Sequence, residues 1–294
     1  SVTIKVNDDG FYSMMIGATD MGTGCDTILA QMAADCLDTH VDNIVVYGVD
    51  TDISPYDSGS YASSTTYLTG NATIKTCQML REKIIAAGAE MLEIDIEDAD
   101  FDGEKVYSVK EEKSITLKDI ANNVMCYSNH TLTATAKEKT PVSPPPYMAG
   151  AVEIELDKET GHVEIIDYAT CVDCGTVINP ALATVQTEGG LVQGIGMALY
   201  EDVQYDKRGR ILNDSFMQYK IPTRLDMGKI RVEYESSYEP SGPFGAKSIG
   251  ELVINTPSPA LCHAIYNASG VWINELPMTS EKIAMGILKN NLEA

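Results

Sequence analysis

Glu251 closes the stretch GPFGAKSIGE, residues 242–251, directly after a glycine and ahead of the apolar Leu252, Val253 and Ile254. A carboxylate led into apolar surroundings has its proton affinity raised, because burial disfavours the charged form. A carboxylate tuned in that way can serve as a general base near neutral pH. The same stretch contains Lys247-Ser248, the closing pair of a phosphate-binding loop, which also needs glycines immediately before the Lys and five residues further back. Ala246 and Ser241 hold those two positions, so a nucleotide cradle of that type is excluded. Two readings stay open for the stretch. It is either a turn punctuated by Gly242-Pro243 and Gly245 or the mount of a catalytic glutamate.

Other stretches carry polar groups in patterns that suit a ligand. Asp20-Met21-Gly22-Thr23-Gly24 places two glycines ahead of a helical pattern, where free backbone N–H groups attract anions; a simple helix-start turn explains it equally. Residues 58–66, SGSYASSTT, form a hydroxyl-rich loop that either cradles a phosphate or polar ring or is a solvated helix cap. Gln186 and Gln193 stand in a glycine-rich segment, where an amide can read the edge of a polar ring. Cys171-Val172-Asp173-Cys174 has redox or zinc spacing but no second pair, so it reads as packing at a strand end. The four histidines (His40, His130, His162, His263) are too scattered for a metal cluster, and no Gly-x-Ser-x-Gly elbow is present.

The composition bounds what these groups can serve. The chain has 294 residues, 44% hydrophobic and 22% charged, which suits a folded chain of one large or two ordinary domains. Its 21 basic and 43 acidic residues give a formal charge of −22, a surface that repels polyphosphates and argues against nucleic acid as a partner. The apolar runs are short and broken, so no membrane span is expected. The first ten residues lack the pattern of an export signal. Seven cysteines, odd in number and scattered in apolar segments, read as reduced thiols of a cytoplasmic protein.

These groups need elements to position them. Alternation on either side of Asp8-Asp9-Gly10 predicts an opening hairpin, and helical spacing follows from Ile28 to Leu37. A strand is expected over 43–49, a polar loop over 50–66, a long helix over 70–92 and a second hairpin over 101–107. PVSPPPY, residues 141–147, is the one proline-rich break and sets a boundary between subdomains 1–140 and 141–294. Beyond it come a third hairpin around Glu159-Thr160-Gly161, a helix over 179–200 rich in glycine, and closing helices near 258–268 and 279–292. Glycines on the helix at 189, 190, 194 and 196 imply close approach of a backbone or a ligand. Antiparallel hairpins mixed with helices favour an α+β fold over a doubly wound parallel sheet.

Taken in order, ATDMGTG, DTDISPYDSGSYASSTTYLTGNA, YATCVDCGTVINPALATVQTEGGLVQGIGMALYED, NDSFMQYKIPTRLDM, GPFGAKSIGE and LPMTSEKI resemble the molybdopterin-binding subunit of the xanthine dehydrogenase and aldehyde oxidase family. The set covers essentially the whole chain and corresponds to the C-terminal half of that subunit. The family's N-terminal half has no counterpart here, so the chain is either a fragment or one of two polypeptides sharing the site. The split is similar to nicotinate dehydrogenase-type members, whose molybdenum protein is divided into a large and a medium subunit; the medium one is the nearer likeness.

The resemblance implies the fold of the family's second molybdopterin-binding domain and a molybdenum hydroxylase that hydroxylates a carbon of a nicotinate-like N-heterocycle with oxygen from water. Purines or aldehydes as substrates, or a non-catalytic scaffold subunit, are the alternatives. The implied cofactor is molybdenum on molybdopterin, in the cytosine dinucleotide form with a sulfido or selenido ligand and no protein ligand to the metal. Glu251 is implied as the catalytic base, and Gly22, Thr23, Gly24, Ser60, Ala62, Ser63, Ser64, Thr65, Gln186, Ser248 and Gly250 as cofactor contacts. Thr23 stands where many members carry Gln, and Leu252-Val253 where Pro-Pro is common. The implied partners are a second molybdopterin subunit with the N-terminal half, and subunits carrying FAD and [2Fe–2S] clusters.

Overall fold

The computed structural model describes residues 1–48, 50–139 and 142–293. Val49, which ends the expected strand 43–49, and the expected subdomain junction at Thr140 and Pro141 lie outside the described residues. The chain divides into two compact units, Ser1–Pro144 with Glu239–Ser248, and Pro145–Tyr238 with Ile249–Ala294. The segment 239–248, sequence-distant from everything else in the first unit, is thus counted with it.

The first unit begins with the expected hairpin. β1 (Val2–Val6) and β2 (Tyr12–Ile16) pair antiparallel from Val2↔Ile16 to Val6↔Tyr12. The turn closes where Gly10 adopts φ +87° and its N–H donates to Asn7 O at 3.0 Å. Alternation puts Val2, Ile4, Val6, Tyr12, Met14 and Ile16 on one buried face. That face packs against α2 (Gly70–Leu92), which in turn packs on α1 (Cys25–Leu37). β3 (Ile44–Tyr47) joins β2 in parallel, and a strand not expected, β7 (Thr133–Ala136), joins β1 antiparallel. A second sheet runs β4 (Ala99–Phe101), β5 (Lys105–Ser108), β6 (Ser114–Thr116), its first two strands forming the expected hairpin over Gly103. α3 (Leu117–Tyr127) is also additional to the sequence reading. Thr116 caps it by accepting the Asp119 N–H at 3.1 Å.

In the second unit, β8 (Tyr147–Leu156) and β9 (Val163–Asp173) form the expected antiparallel hairpin, with a register shift at Glu153/Ile154. β10 (Lys229–Tyr234) adds to β9 in parallel, giving the order β10-β9-β8. α4 (Pro180–Leu199) starts where Asn179 accepts the Leu182 N–H at 3.1 Å, with Pro180 in the first turn where no N–H is needed. α5 (Pro257–Ser269) and α6 (Ser280–Glu293) close the chain. The core joins Val163, Ile165 and Tyr168 of β9 to Leu191, Ile195 and Ala198 of α4 and Leu261 and Ile265 of α5. The architecture is α+β, with two parallel strand pairs among mostly antiparallel ones. Among the described residues no helix is long and apolar enough to cross a membrane.

Candidate functional site

In the first unit, the loop from β2 to α1 carries Gly22, Thr23 and Gly24. Gly22 (φ +101°) and Gly24 (φ +77°) take left-handed conformations that only glycine adopts without strain. Their N–H groups are not free. Asp20 Oδ1 accepts from Gly22 at 2.8 Å and Gly24 at 3.2 Å, and Oδ2 accepts from Asp26 at 3.3 Å. Burial pushes the Asp20 carboxyl up, but donation from Gly22, Gly24, Asp26 and Thr23 together holds it below its ordinary value. The anion expected at this helix start is therefore the chain's own Asp20. A second anion there would meet a like charge, which corrects the reading of open N–H groups. Thr23 is exposed, and a Cβ on Gly22 would find open space.

Asp20, Cys25 and Asp26 bring their ligand atoms within 4.8 Å of one another, the one such grouping among the described residues. Burial, with Asp20 and Asp26 adding to it, pushes the Cys25 thiol up to about 12, so it stays protonated. Burial and Asp20 also raise the Asp26 carboxyl. Since Asp20 is already satisfied by backbone donors, hydrogen bonding accounts for the cluster without a cation.

The hydroxyl-rich loop has an unusual backbone. Ala62 and Ser63 both sit at φ 54°, left-handed for non-glycine residues, at a cost of about 1–2 kcal/mol each. Thr65 Oγ1 donates to Ser60 Oγ at 2.9 Å, and Ser64 Oγ donates to Gly59 O at 3.3 Å. Ser60, Ser63, Ser64 and Thr65 are half-buried, whereas Ala62 is exposed. The chain then enters α2 through a turn of π-helix, Thr65–Thr69, a winding found at functional sites.

Ser248 is buried and accepts the Tyr67 N–H from that π turn at 3.1 Å. The rest of its segment docks beside it. Tyr67 OH donates to Ser241 Oγ at 2.7 Å, Asn71 Nδ2 donates to Ser241 O at 3.0 Å, and a Cβ on Gly70 would come within 2.7 Å of Pro243 Cγ. Phe244 is held at φ 52° within this segment. Sequence reasoning found Ser248 but not Tyr67, Asn71 or Ser241. No local pattern marks a pair 181 positions apart. Asp20 had a signal, an Asp two residues before a Gly-x-Gly turn.

In the second unit, Gln186 Nε2 donates to Gly250 O at 2.9 Å, which joins two of the predicted residues directly. The glycines of α4 fall into two kinds. A Cβ on Gly190 would collide with Val253, and one on Gly194 would lie 2.7 Å from Pro257 Cγ and 2.9 Å from Ile254 O; Gly189 faces open space. Close approach of the Val253 and Pro257 side chains and of Ile254 O therefore explains Gly190 and Gly194. Glu251 itself is exposed, and of the three apolar residues after it only Val253 is buried. The burial expected around the carboxylate is not provided by this chain, because the apolar side of the turn faces α4 and the glutamate faces away. Cys171 is exposed and Cys174 buried, and His263 stacks edge-on against Trp272 with ring centres 5.1 Å apart.

The family model for the molybdopterin cofactor-binding domain matches residues 1–228. The chain belongs to that family. Probable hypoxanthine oxidase XdhD of Escherichia coli is 34% identical over 291 residues, covering 97% of this chain and 30% of its own length. The large subunit of nicotine 6-hydroxylase from Paenarthrobacter nicotinovorans is 30% identical over 296 residues, 96% of this chain and 36% of that one. Among solved structures, quinoline 2-oxidoreductase from Pseudomonas putida 86 superposes with a TM-score of 0.87 at 27% identity, covering 98% of this chain and 38% of that one. The chain thus spans about a third of the length of the relatives it matches.

Proposed function

We propose that this chain is the cofactor-holding and proton-accepting part of a molybdenum hydroxylase that acts on a ring carbon of a nicotinate-like N-heterocycle, with water as the oxygen source. The observation that carries the reading is the presentation of Glu251, exposed at the head of a turn whose preceding carbonyl is held by Gln186. Support for the substrate class comes from relatives named for hypoxanthine, nicotine and quinoline, all nitrogen heterocycles.

The residues fit a polar pterin in type. Ser60, Ser63, Ser64 and Thr65 offer neutral hydroxyls on a strained loop, Gly22 leaves open space beside Thr23, and Ser248, Gly250 and Gln186 add hydroxyl, backbone and amide groups. With Asp20 as the anion at the start of α1, Gly22 and Gly24 suit the uncharged part of the cofactor rather than its phosphates. When bound, the group supplies a molybdenum centre for two-electron chemistry, here in the cytosine dinucleotide form with a sulfido or selenido ligand. Glu251 accepts a proton at its carboxylate as the nucleophile derived from water is delivered to the ring carbon. Within the second unit, Gln186 would orient the cofactor relative to that carboxylate. Companion subunits carrying [2Fe–2S] and FAD groups would supply the electron acceptors.

The test is on the enzyme that contains this chain. It should hold molybdenum and release CMP on acid hydrolysis of its pterin. With a dye as acceptor it should oxidise nicotinate faster than hypoxanthine or benzaldehyde. Absence of molybdenum sinks the reading, while preference for the purine or the aldehyde moves it to another substrate class.

A further inference from the structure

The structure assigns Gln186 a second role, as the positioning residue of Glu251, an inference that rests on the reading of Glu251 as the base. Gln186, Gly190 and Gly194 recur every four residues on α4 and share one face. The carbonyl that Gln186 holds at 2.9 Å belongs to the peptide joining Gly250 to Glu251. That unit is planar, so fixing its oxygen also fixes the orientation of the Glu251 nitrogen.

The next two contacts extend the same seat. Val253, fully buried, fills the space left by Gly190, and Pro257 and Ile254 O fill that left by Gly194. The turn also bonds within itself. Ile254 N–H reaches Glu251 O at 3.4 Å, and Asn255 N–H reaches Leu252 O at 3.1 Å. α4 thus seats the backbone from which the Glu251 side chain projects. A neutral amide suits the task, since it donates without adding charge beside a carboxylate that must change protonation state. A base works only within about 2.6–3.2 Å of the proton it takes, and displacement by about 1 Å can cost about a hundredfold in rate.

Gln186→Leu keeps the bulk of the side chain and removes the donor. In the purified holoenzyme, hydrogen–deuterium exchange over residues 251–255 should quicken about two- to tenfold, the weight of one net hydrogen bond; rates are taken per bound molybdenum, since Gln186 is also read as a cofactor contact. On the best substrate among nicotinate, hypoxanthine and benzaldehyde, kcat should fall about tenfold or more while KM holds. That fall should vanish when Glu251 is already Gln, because both residues act through one group. Unchanged exchange, or an equal fall per bound molybdenum in the Glu251→Gln background, overturns the positioning role. Turnover of Glu251→Gln alone reports separately on the base: wild-type rate there sinks the catalytic reading, while the exchange result still reports on the seat.

Discussion

The backbone N–H of Tyr67 donates to Ser248 Oγ at 3.1 Å, joining positions 181 apart in the sequence within one compact unit. The bond is buried, and it ties the segment 239–248 to the π turn that follows the hydroxyl-rich loop. Ser248→Ala leaves the Tyr67 N–H buried without its acceptor, at a cost of about 1–3 kcal/mol. Denaturant melting of the variant should show that loss, and Ser248→Thr should recover part of it. A midpoint unchanged by Ser248→Ala contradicts the anchoring role.

For Glu251→Gln, turnover should fall about a hundred- to ten-thousandfold, the usual weight of a general base. Molybdenum content and melting should stay at wild-type values, because the residue is exposed and the amide fills the same volume. Metal analysis, calorimetry and steady-state rates on the same preparation check this.

Asp20 makes the first unit sensitive to acid. Its folded carboxyl lies below the ordinary value, so its contribution is complete above the unfolded value of about 3.9 and is lost as pH falls through the lower folded one. Asp20→Asn should therefore flatten the drop in stability below about pH 4. Asp20→Ala, which removes the acceptor altogether, should cost about 0.5–2 kcal/mol at neutral pH. Melting curves between pH 3 and pH 7 measure both effects, and parallel wild-type and Asp20→Asn curves would refute the assignment.

Neighbouring glycines on α4 should respond with opposite signs. Gly189→Ala adds a methyl in open space on a helix and should stabilise by about 0.5–1 kcal/mol. Gly190→Ala drives a methyl into Val253 and should destabilise by about 1–3 kcal/mol. Val253→Ala in the Gly190→Ala background should return part of the loss. Equal shifts from the two single variants would mean that α4 does not seat the turn as described.

Local order was legible in the sequence because it depends on neighbours along the chain. The alternation around Asp8-Asp9-Gly10 and around Glu159-Thr160-Gly161, and the apolar stripe of α2, suffice for both hairpins and the long helix. The motif order suffices for the family. α3 and β7 escaped, since the first is short and polar on most of its surface and the second acquires its partner β1 only across the whole first unit.

The chemistry divides in the same way. Residue types marked Glu251, Gln186 and the two glycines around Thr23, because carboxylate, amide and turn-forming backbone are properties of single residues and their neighbours; Ser248 was implied by the family resemblance. Tertiary structure decided what each of them touches. Folding put Ser248 under Tyr67 and Gln186 on the carbonyl before Glu251, whereas the hold of Asp20 on Gly22 and Gly24 spans only two and four residues and is local. It also turned the apolar side of the 252–254 turn toward Gly190 and left the glutamate exposed. Burial and hydrogen-bond partners are set by residues tens to hundreds of positions away, so they emerge only when the chain has closed on itself.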